Sequence, residues 1–368
     1  MTDVQNVIVA AHFSKDVKIS KLDLHFKADT VSLLSGGIAK EILDKKFGQI
    51  WTMNALFNTY KIGDNRQILF THIGGGIGDI IASSAIIQYL KDSQGIEGIY
   101  FFTAPQYFPI LDIFRTHVIP RHLFAPIVEN FSKVKTKLHV KKAYGRLAME
   151  FAAVEGREKN WYLSMFERIG EMSPPRGYLR PQLFAPDAYT KSARIKAVMI
   201  CHKASCQIRS SRFEDFYIPV HKVMPKHLII VNKIDLTNED SRFIEKHVPG
   251  DDILILDKSL PEYFNLLDRV DMVVSTDSAP IHYREGIGKP CLGVFGAMTT
   301  ESRTKYYLYT RSFNVATGCK YQPCFKHELK PDDKCPAYKG EEIAPCQSGK
   351  RFKEQLESEL MNYVKEVL

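Results

Sequence analysis

The stretch RQILFTHIGGGIGDIIASSAIIQYLK, residues Arg66–Lys91, governs how the whole chain is interpreted. Gln67–Ile73 is a short apolar run rich in β-forming residues, and three consecutive glycines follow it. After the glycines, apolar residues recur at helical spacing from Ile80 to Leu90. The pattern predicts a strand, a tight turn and a helix.

The turn between this strand and this helix combines glycines with one carboxylate. Gly74, Gly75, Gly76 and Gly78 permit another molecule to approach the backbone closely, and the N–H groups of a helix start favour an anion. Asp79 lies at or just before the first helical turn. Two interpretations follow for Asp79: a helix-capping residue of an ordinary α/β unit, or a catalytic base at the carboxyl end of a strand.

Length and composition exclude several classes of protein. A chain of 368 residues exceeds what one core usually supports, so two domains are expected, and its 45% hydrophobic and 25% charged residues are typical of a soluble globular protein. The start, MTDVQNVIVAAHF, resembles no signal peptide, and no apolar run is long enough to span a bilayer. We therefore expect a cytoplasmic location, which includes peripheral attachment to the inner membrane face or, for a viral protein, the host cytoplasm.

The alternation of strand and helix patterns predicts an α/β fold with four segments. Residues 1–65 form an N-terminal extension with strand or hairpin character at Val17–Phe26 and a helix near residues 40–51. Residues 66–190 form a first Rossmann-like domain, in which residues 148–170 are expected to be two helices. A proline-rich hinge precedes a second Rossmann-like domain, residues 191–350, and residues 351–368 form a final helix.

Polar and basic residues follow two predicted strands of the second domain. Thr276, Asp277, Ser278 and Ala279 lead into a helix, and His282 lies about one turn further on. A capping box and a structural histidine would explain this segment without a ligand. An earlier strand of this domain is followed by three cations that suit a diphosphate, Lys203, Arg209 and Arg212. Ser205 offers a hydroxyl group in the same loop.

A dense basic run lies in the first domain. The cations are Lys133, Lys135, Lys137, Lys141, Lys142 and Arg146. Such a run is either a solvated face or a surface that binds an anionic acceptor. The net charge of +8 likewise favours anionic partners, namely nucleotide phosphates, phosphorylated glycolipid or nucleic acid.

Four of the seven cysteines fall in one polar stretch near the C-terminus. They are Cys319, Cys324, Cys335 and Cys346, spaced C-x4-C-x10-C-x10-C. Clustered thiols in a loop of low apolar content make a poor core, whereas four thiolates hold zinc or iron tetrahedrally. The sequence therefore predicts a structural zinc or iron ion, with free thiols as the alternative.

The order of these motifs resembles glycosyltransferase family 9, the ADP-heptose heptosyltransferases, over roughly residues 66–368. The resemblance rests on GGGIGD after a strand, Ala204 and Ser205 before Arg212 and Phe213, VVSTDSAPIH and GKPCLGVFG. It implies the GT-B fold, two Rossmann-like domains facing a cleft. The cysteine-rich segment resembles that of the autotransporter heptosyltransferases.

The resemblance also implies a mechanism and roles for residues. It implies an inverting transfer from a nucleotide diphosphate sugar without a catalytic metal, in which Asp79 is the general base and Gly74–Gly78 line the reaction centre. Asp277 would hold sugar hydroxyls, and the start of the following helix would receive the diphosphate. Ser211, Arg212 and Phe213 replace a family K-x-W block, and residues 231–240 contain no clear counterpart of the glutamate that binds the ribose, so the donor is left open.

Three functions are consistent with the sequence. The first is sugar transfer to lipopolysaccharide core or a related glycan. The second keeps the chemistry but uses a hydroxylated DNA base or a protein side chain as acceptor, and the basic run suits a DNA acceptor. The third is a non-catalytic sugar-nucleotide-binding protein. The oligomeric state is left open, with a homo-oligomer among the alternatives.

Overall fold

The computed structural model divides into two compact units, which we describe separately. The first comprises residues 1–80 and 86–152, and the second comprises residues 81–85 and 153–368. The residues that the structure describes are 8–13, 15–19, 24–26, 30–35, 49–51, 67–72, 77–95, 98–103, 117–118, 137–142, 145–150, 159–183, 195–315, 319–322, 324, 335 and 343–368.

Short antiparallel strands make up the described part of residues 1–65. They are β1 (Ile8–Phe13), β2 (Val17–Ile19), β3 (Leu24–Phe26), β4 (Thr30–Ser35) and β5 (Gln49–Trp51). One sheet has the order β4-β1-β5, and β2 pairs with β3 as the predicted hairpin. The prediction of a helix that reaches residue 51 is wrong at its end, because Gln49–Trp51 pairs with β1; residues 36–48 lie outside the described residues.

A five-stranded sheet forms the centre of the first unit. Its elements are β6 (Gln67–His72), α1 (Ile77–Gln94), β7 (Gly98–Thr103), β8 (His117–Val118), β9 (Lys137–Lys142) and β10 (Gly145–Glu150). The order is β10-β9-β6-β7-β8, in which β6, β7 and β8 are parallel and β9 and β10 form an antiparallel hairpin. The predicted strand and helix on either side of the glycines are confirmed.

The second unit is built on a six-stranded sheet that is parallel throughout. Its strands are β11 (Ile195–Cys201), β12 (Leu228–Asn232), β13 (Ile253–Leu256), β14 (Val270–Thr276), β15 (Cys291–Phe295) and β16 (Thr310–Asn314). The order β13-β12-β11-β14-β15-β16 is that of a dinucleotide-binding fold, in which the direction of winding changes between the first and fourth strands. Here those strands are β11 and β14.

Helices connect these strands and begin where the sequence provides caps. They are α2 (Trp161–Arg168), α3 (Phe213–Val223), α4 (Asn238–His247), α5 (Leu260–Arg269), α6 (Ala279–Gly286), α7 (Thr300–Arg303) and α8 (Lys350–Val367). Thr237 with Asp240, and Ser259 with Glu262, form capping boxes that start α4 and α5. The near-continuous apolar runs of β11, β14 and β15 are typical of strands covered on both faces.

The final helix completes the core of the second unit. Phe352, Leu356, Leu360 and Tyr363 recur at helical spacing and are buried in the same cluster as the apolar residues of α3 and the central strands. The crossing of this helix to the first domain, and the domain bounds at residues 65 and 190, stay predictions.

Two further differences from the sequence interpretation have physical causes. Ala148–Glu150 belongs to β10 and not to a helix, because these residues pair with β9 in register. Trp161–Arg168 is helical as expected, and residues 151–158 lie outside the described residues. The sequence analysis missed α7 and β16, since α7 has only four residues and the polar sequence TRSFN of β16 shows neither an apolar run nor a regular alternation.

None of the helices in the described ranges is both long enough and sufficiently apolar to cross a lipid bilayer.

A buried arginine ties the α6–β15 connection to the neighbouring α5–β14 turn. Arg284 is 0% exposed, and its guanidinium group donates to the carbonyl oxygens of Leu267, Val270, Asp271 and Pro290. Burial lowers the pKa of Arg284 to about 10. The group stays charged at neutral pH and satisfies carbonyl groups that would otherwise lack donors.

Replacement of this arginine by an apolar side chain is expected to destabilise the second unit. Arg284→Met leaves several buried carbonyl groups without a donor, so we expect the free energy of unfolding to fall by about 3 kcal/mol or more. Arg242→Met, on the exposed face of α4, is the matched control. Urea unfolding of both variants tests this, and equal midpoints would contradict the role given to Arg284.

Candidate functional site

The candidate site lies where the winding direction of the six-stranded sheet changes. β11 ends at Cys201, β14 ends at Thr276, and the two strands are parallel neighbours. Ligands of open α/β sheets bind outside the carboxyl ends of the strands at this switch point. Two segments leave these strand ends: the loop 202–210 after β11 and the segment 277–282 after β14.

The segment after β14 turns directly into α6. Ser278 is the N-cap in an extended backbone conformation, but its side chain makes no capping bond to the helix. Its Oγ is instead 2.9 Å from Oγ of Ser275. Pro280 lies in the first turn, where its missing N–H is not needed. The start of α6 therefore presents backbone N–H groups that suit an anion.

Arg209 joins the two segments across the switch point. Its Nη1 donates to the main-chain oxygen of Asp277 at 2.9 Å and to Oδ2 of Asp277 at 3.3 Å. Nη2 donates to Oγ of Ser205 at 2.6 Å, and Nε donates to Sγ of Cys206 at 3.3 Å. The guanidinium group is thus held by three neighbouring groups, so its position is well defined. Both Arg209 and Asp277 are largely buried.

Two arginines and a histidine act on the carboxylate of Asp277. Burial alone would raise the pKa of Asp277, but Arg209, Arg303 and His282 together lower it, so the carboxylate stays ionised. Arg303 is buried as well, and with Arg209 it also acts on His282. Two guanidinium groups and one carboxylate therefore meet in a largely desolvated place. Guanidinium groups at this place suit the binding of an anion.

His282 is held neutral by its surroundings. Burial, opposed by Asp277 and reinforced by Arg303 and Arg209, lowers its pKa to about 4. Its Nδ1 is 2.6 Å from Oη of Tyr307, and that hydroxyl group is 2.7 Å from Oη of Tyr162. A chain of three buried polar groups thus fixes the orientation of the imidazole ring.

Trp161 forms one wall beside this chain. Its ring packs edge-on against His282 with centroids 5.7 Å apart, and the guanidinium carbon of Arg303 lies 4.5 Å from the centroid of the Trp161 ring. Nε1 of Trp161 is buried and has no hydrogen-bond partner among the described residues. An indole N–H in this state is available to an acceptor atom of a ligand.

A second carboxylate lies at the end of the neighbouring strand. Asp235 follows β12, and burial, opposed by Lys203, raises its pKa to about 6. Its charge acts on Cys201 and Tyr263, whose Sγ and Oη atoms are 3.3 Å apart. In dinucleotide-binding sheets an acidic residue at the end of the second strand binds ribose hydroxyl groups.

The other predicted basic residues after β11 have different surroundings. Lys203 lies 4.0 Å from the carboxylate of Asp240, which also accepts from the backbone N–H of Phe213 and lies 3.6 Å from His202. Asp240 thereby fastens the β11 loop to the starts of α3 and α4. Arg212 is exposed at the N-cap of α3, so the structure brings Arg209, and not Arg212, to Asp277.

The structure describes only part of the predicted glycine turn. Gly78 and Asp79 lie in the first turn of α1 and are partly exposed, whereas Gly74, Gly75 and Gly76 lie outside the described residues. Asp79 is therefore inside the helix and not its N-cap.

The basic run coincides with the β9–β10 hairpin. Lys137, Lys141 and Lys142 lie on β9 and Arg146 on β10, while Lys133 and Lys135 lie outside the described residues. The backbone register pairs Lys141 with Arg146, so these two positions share one face, and Lys142 has the opposite one.

The four clustered cysteines are close enough to affect one another. Burial, and then the charges of the other three, raises the pKa of Cys346 to about 12, and burial with neighbouring thiols raises that of Cys324 to about 11. Within the described ranges, no group of three or more His, Cys, Asp or Glu residues is arranged as a metal site. A set of adjacent thiols nevertheless fits a thiophilic cation, because such a cation would stabilise the thiolates that repel one another here.

Sequence reasoning missed five residues of this site: Trp161, Tyr162, Asp235, Arg303 and Tyr307. Asp235 had a recognisable signal, since it directly follows a predicted strand. The other four come from an early helix and from the connection after β15, and nothing in their spacing links them to Asp277. Their convergence becomes visible only in three dimensions.

Fold and site together define an α/β protein with buried charged groups at the switch point of a parallel sheet. Residues 235–333 match the model of glycosyltransferase family 9 (heptosyltransferase). A search of curated protein sequences gave no significant match. The predicted resemblance to this family is therefore confirmed, with the family model covering part of the second unit.

Solved structures show the same fold. The chain is similar to a family 9 glycosyltransferase from Veillonella parvula, with 12% identity, 83% of this chain and 98% of that chain covered, and a TM-score of 0.50. It is also similar to TibC from enterotoxigenic E. coli, described as an iron-containing dodecameric glycosyltransferase, with 12% identity, coverage of 99% and 91%, and a TM-score of 0.50. TibC in complex with ADP-D-beta-D-heptose gives 11% identity, coverage of 99% and 93%, and a TM-score of 0.51. The predicted GT-B fold is confirmed.

The low pKa of His282 predicts a pH-dependent stability. The unfolded chain binds a proton at His282 near the ordinary value of 6.5, whereas the folded chain does so only near pH 4. Stability is therefore present above pH 6.5 and is lost as the pH falls towards 4, by about 3 kcal/mol from this residue. Urea unfolding at pH 7 and pH 5 should show a smaller pH difference in His282→Gln than in wild type, and His247→Gln on the exposed face of α4 should keep the wild-type difference. The same pH difference in wild type and His282→Gln would contradict this assignment.

Proposed function

We propose that the protein is an inverting glycosyltransferase that uses a nucleotide diphosphate sugar as donor. One observation carries the proposal: Arg209, Arg303 and Asp277 form a buried cluster beside the start of α6. A diphosphate pairs with guanidinium groups and accepts hydrogen bonds from the backbone N–H groups of the helix start. The match to the family 9 model over residues 235–333 supports this assignment.

The donor would lie along the carboxyl edge of the second sheet. The diphosphate is assigned to Arg209, Ser278 and Ala279, and the sugar hydroxyl groups to Asp277. Asp235 is assigned to the ribose, because it follows β12, the strand next to β11. This residue takes the role for which residues 231–240 offered no clear glutamate. Thr276, Ser205, Lys203 and His282 support these groups, and Arg212 stays a peripheral candidate.

The chemical step is a direct displacement in which Asp79 is the general base. Its carboxylate takes the proton of the acceptor hydroxyl as that oxygen forms a bond to the anomeric carbon. The bond from the anomeric carbon to the diphosphate oxygen breaks at the same time, and the leaving diphosphate keeps the electron pair. Attack from the opposite face inverts the anomeric centre. The glycines at 74–76 and 78 are assigned to the surroundings of the reacting sugar, and no catalytic metal takes part.

We assign an anionic glycan, lipopolysaccharide core or a related structure, as acceptor. The basic residues of the β9–β10 hairpin support an anionic acceptor, since three lysines and one arginine fall within it. The proposed reaction takes place in the cytoplasm, where sugar nucleotides are made.

A structural zinc or iron ion is assigned to Cys319, Cys324, Cys335 and Cys346. The set of adjacent thiols and the iron content of TibC support this assignment. When bound, the ion would supply the ordering of a segment that is poor in apolar residues.

An experiment with Asp79→Asn and one control variant tests donor binding and catalysis separately. Wild type is screened by thermal shift against ADP-, UDP- and GDP-sugars, and we expect one class to raise the melting temperature. Asp79→Asn should bind that donor as wild type does but lose transfer or donor hydrolysis by at least about 100-fold. Asp92→Asn, on an exposed part of the same helix, is the control. Undiminished turnover in Asp79→Asn would remove Asp79 as the base, and donor binding without any turnover in wild type would indicate a binding protein.

Elemental analysis tests the metal assignment on the same sample. We expect about one zinc or iron ion per chain in wild type and a loss of most of it in Cys346→Ser. Cys291→Ser removes a buried thiol of β15 and should retain the ion. A wild-type preparation without stoichiometric metal would leave these four cysteines as free thiols.

A further inference from the structure

We propose that the cysteine-rich segment controls donor affinity, because Gln347 and Cys206 hold in place the loop that carries Arg209. The proposal deepens the proposed function and rests on it. It assigns Gln347 and Cys206 as positioning residues, which act on the donor through Arg209.

Gln347 anchors the backbone of the β11 loop directly. It lies one residue after Cys346, is 1% exposed, and donates from Nε2 to the carbonyl oxygen of Ile208 at 2.5 Å. Ile208 is buried and immediately precedes Arg209. Because this bond ends on the peptide group that precedes Arg209, a shift of Gln347 displaces the backbone from which the guanidinium group extends.

The same segment also contacts the loop at the end of β15. A Cβ atom at Gly296 would lie 2.7 Å from Cγ and 2.8 Å from Cδ of Gln347, so only glycine admits this side chain at its present distance. Gln322, between the first two clustered cysteines, donates from Nε2 to the carbonyl oxygen of Gly296 at 2.5 Å. β11 and β15 are the two neighbours of β14 in the sheet. The cysteine-rich segment therefore holds the loops on both sides of the strand that ends before Asp277.

Cys206 provides a second link from the thiol cluster to Arg209. Its Sγ accepts from Nε of Arg209 at 3.3 Å, and its charge acts on the thiol of Cys324. Arg209 then reaches Asp277 through Nη1. Hydrogen bonds thus run from Cys206 through Arg209 to the carboxylate of Asp277, and Cys206 lies near enough to the thiol cluster to act on Cys324.

These contacts have a functional consequence. Arg209 is the cation that the proposed diphosphate site shares with Asp277, so its position determines how well the site neutralises the donor. When the cysteine-rich segment loses its order, Gln347 and Cys206 no longer fix the loop, and affinity for nucleotide diphosphate falls.

A double-mutant cycle tests the link through a binding measurement. Dissociation constants for ADP, UDP and GDP are measured by calorimetry on the full chain. Gln347→Met should weaken binding of the preferred nucleotide by about tenfold, the equivalent of one lost hydrogen bond. Gln355→Met is the matched control, because that glutamine also donates to a main-chain oxygen, that of Asn314 at 3.0 Å, but on α8. Its affinity should stay within about twofold of wild type.

The cycle also shows whether the cysteine cluster and Gln347 affect nucleotide binding through the same loop or independently. Cys335→Ser, which disturbs the cluster without touching Arg209, should weaken binding in the wild-type background but add little in Gln347→Met, since both changes release the same loop. Cys206→Ala replaces Gln347→Met in the cycle if that variant does not fold. Additive effects, or wild-type affinity in a folded Gln347→Met, would overturn the link while leaving the donor site intact. Failure of wild type to bind any of the three nucleotides would overturn the proposed function and this inference with it.

Discussion

The contact between Arg209 and Asp277 is the interaction on which the candidate site depends. It joins the loop after β11 to the segment after β14, the two strand ends between which the winding of the sheet reverses. A parallel sheet leaves a crevice at this point, because the helices on either side diverge. A charged pair that spans this point holds the two loops at a defined separation. The surrounding polar groups can then be placed with the accuracy that recognition of a ligand requires.

Burial determines the character of this pair. Removal of a charge from water is costly unless partners compensate for it, and here one carboxylate faces two guanidinium groups. Burial, opposed by Asp277 and reinforced by the two arginines, lowers the pKa of His282 to about 4, so the imidazole ring is neutral at neutral pH. The hydroxyl group of Tyr307, which is itself bonded to that of Tyr162, then satisfies Nδ1 of the imidazole ring without adding charge. The site thus combines buried guanidinium groups with neutral polar groups that set its shape, which suits a ligand with localised negative charge and many hydroxyl groups.

Sequence patterns predicted the second unit closely because its elements are long and strongly periodic. The runs AVMIC, LIIVN and VDMVVS form parallel strands of the predicted second Rossmann-like domain. The prediction of a helix at residues 148–150 was wrong, since a segment of mixed composition takes its conformation from the strand with which it pairs. The site was predicted where polar residues directly follow a strand, as at Asp277. It was missed where residues distant in sequence converge, as at Trp161 and Arg303.

The cysteine-rich segment shows how polar side chains can replace a core. Between Cys319 and Cys346 the chain is dominated by Lys, Pro, Asp, Glu and Gly, so it can bury little apolar surface of its own. Its described contacts include two glutamine amides that reach main-chain oxygens and a group of adjacent thiols. Hydrogen bonds of this kind are directional and contribute modestly to stability, so they define position more than they supply energy. When a segment held in this way becomes disordered, the loops that it contacts lose these hydrogen bonds. Here those loops lie on either side of Asp277.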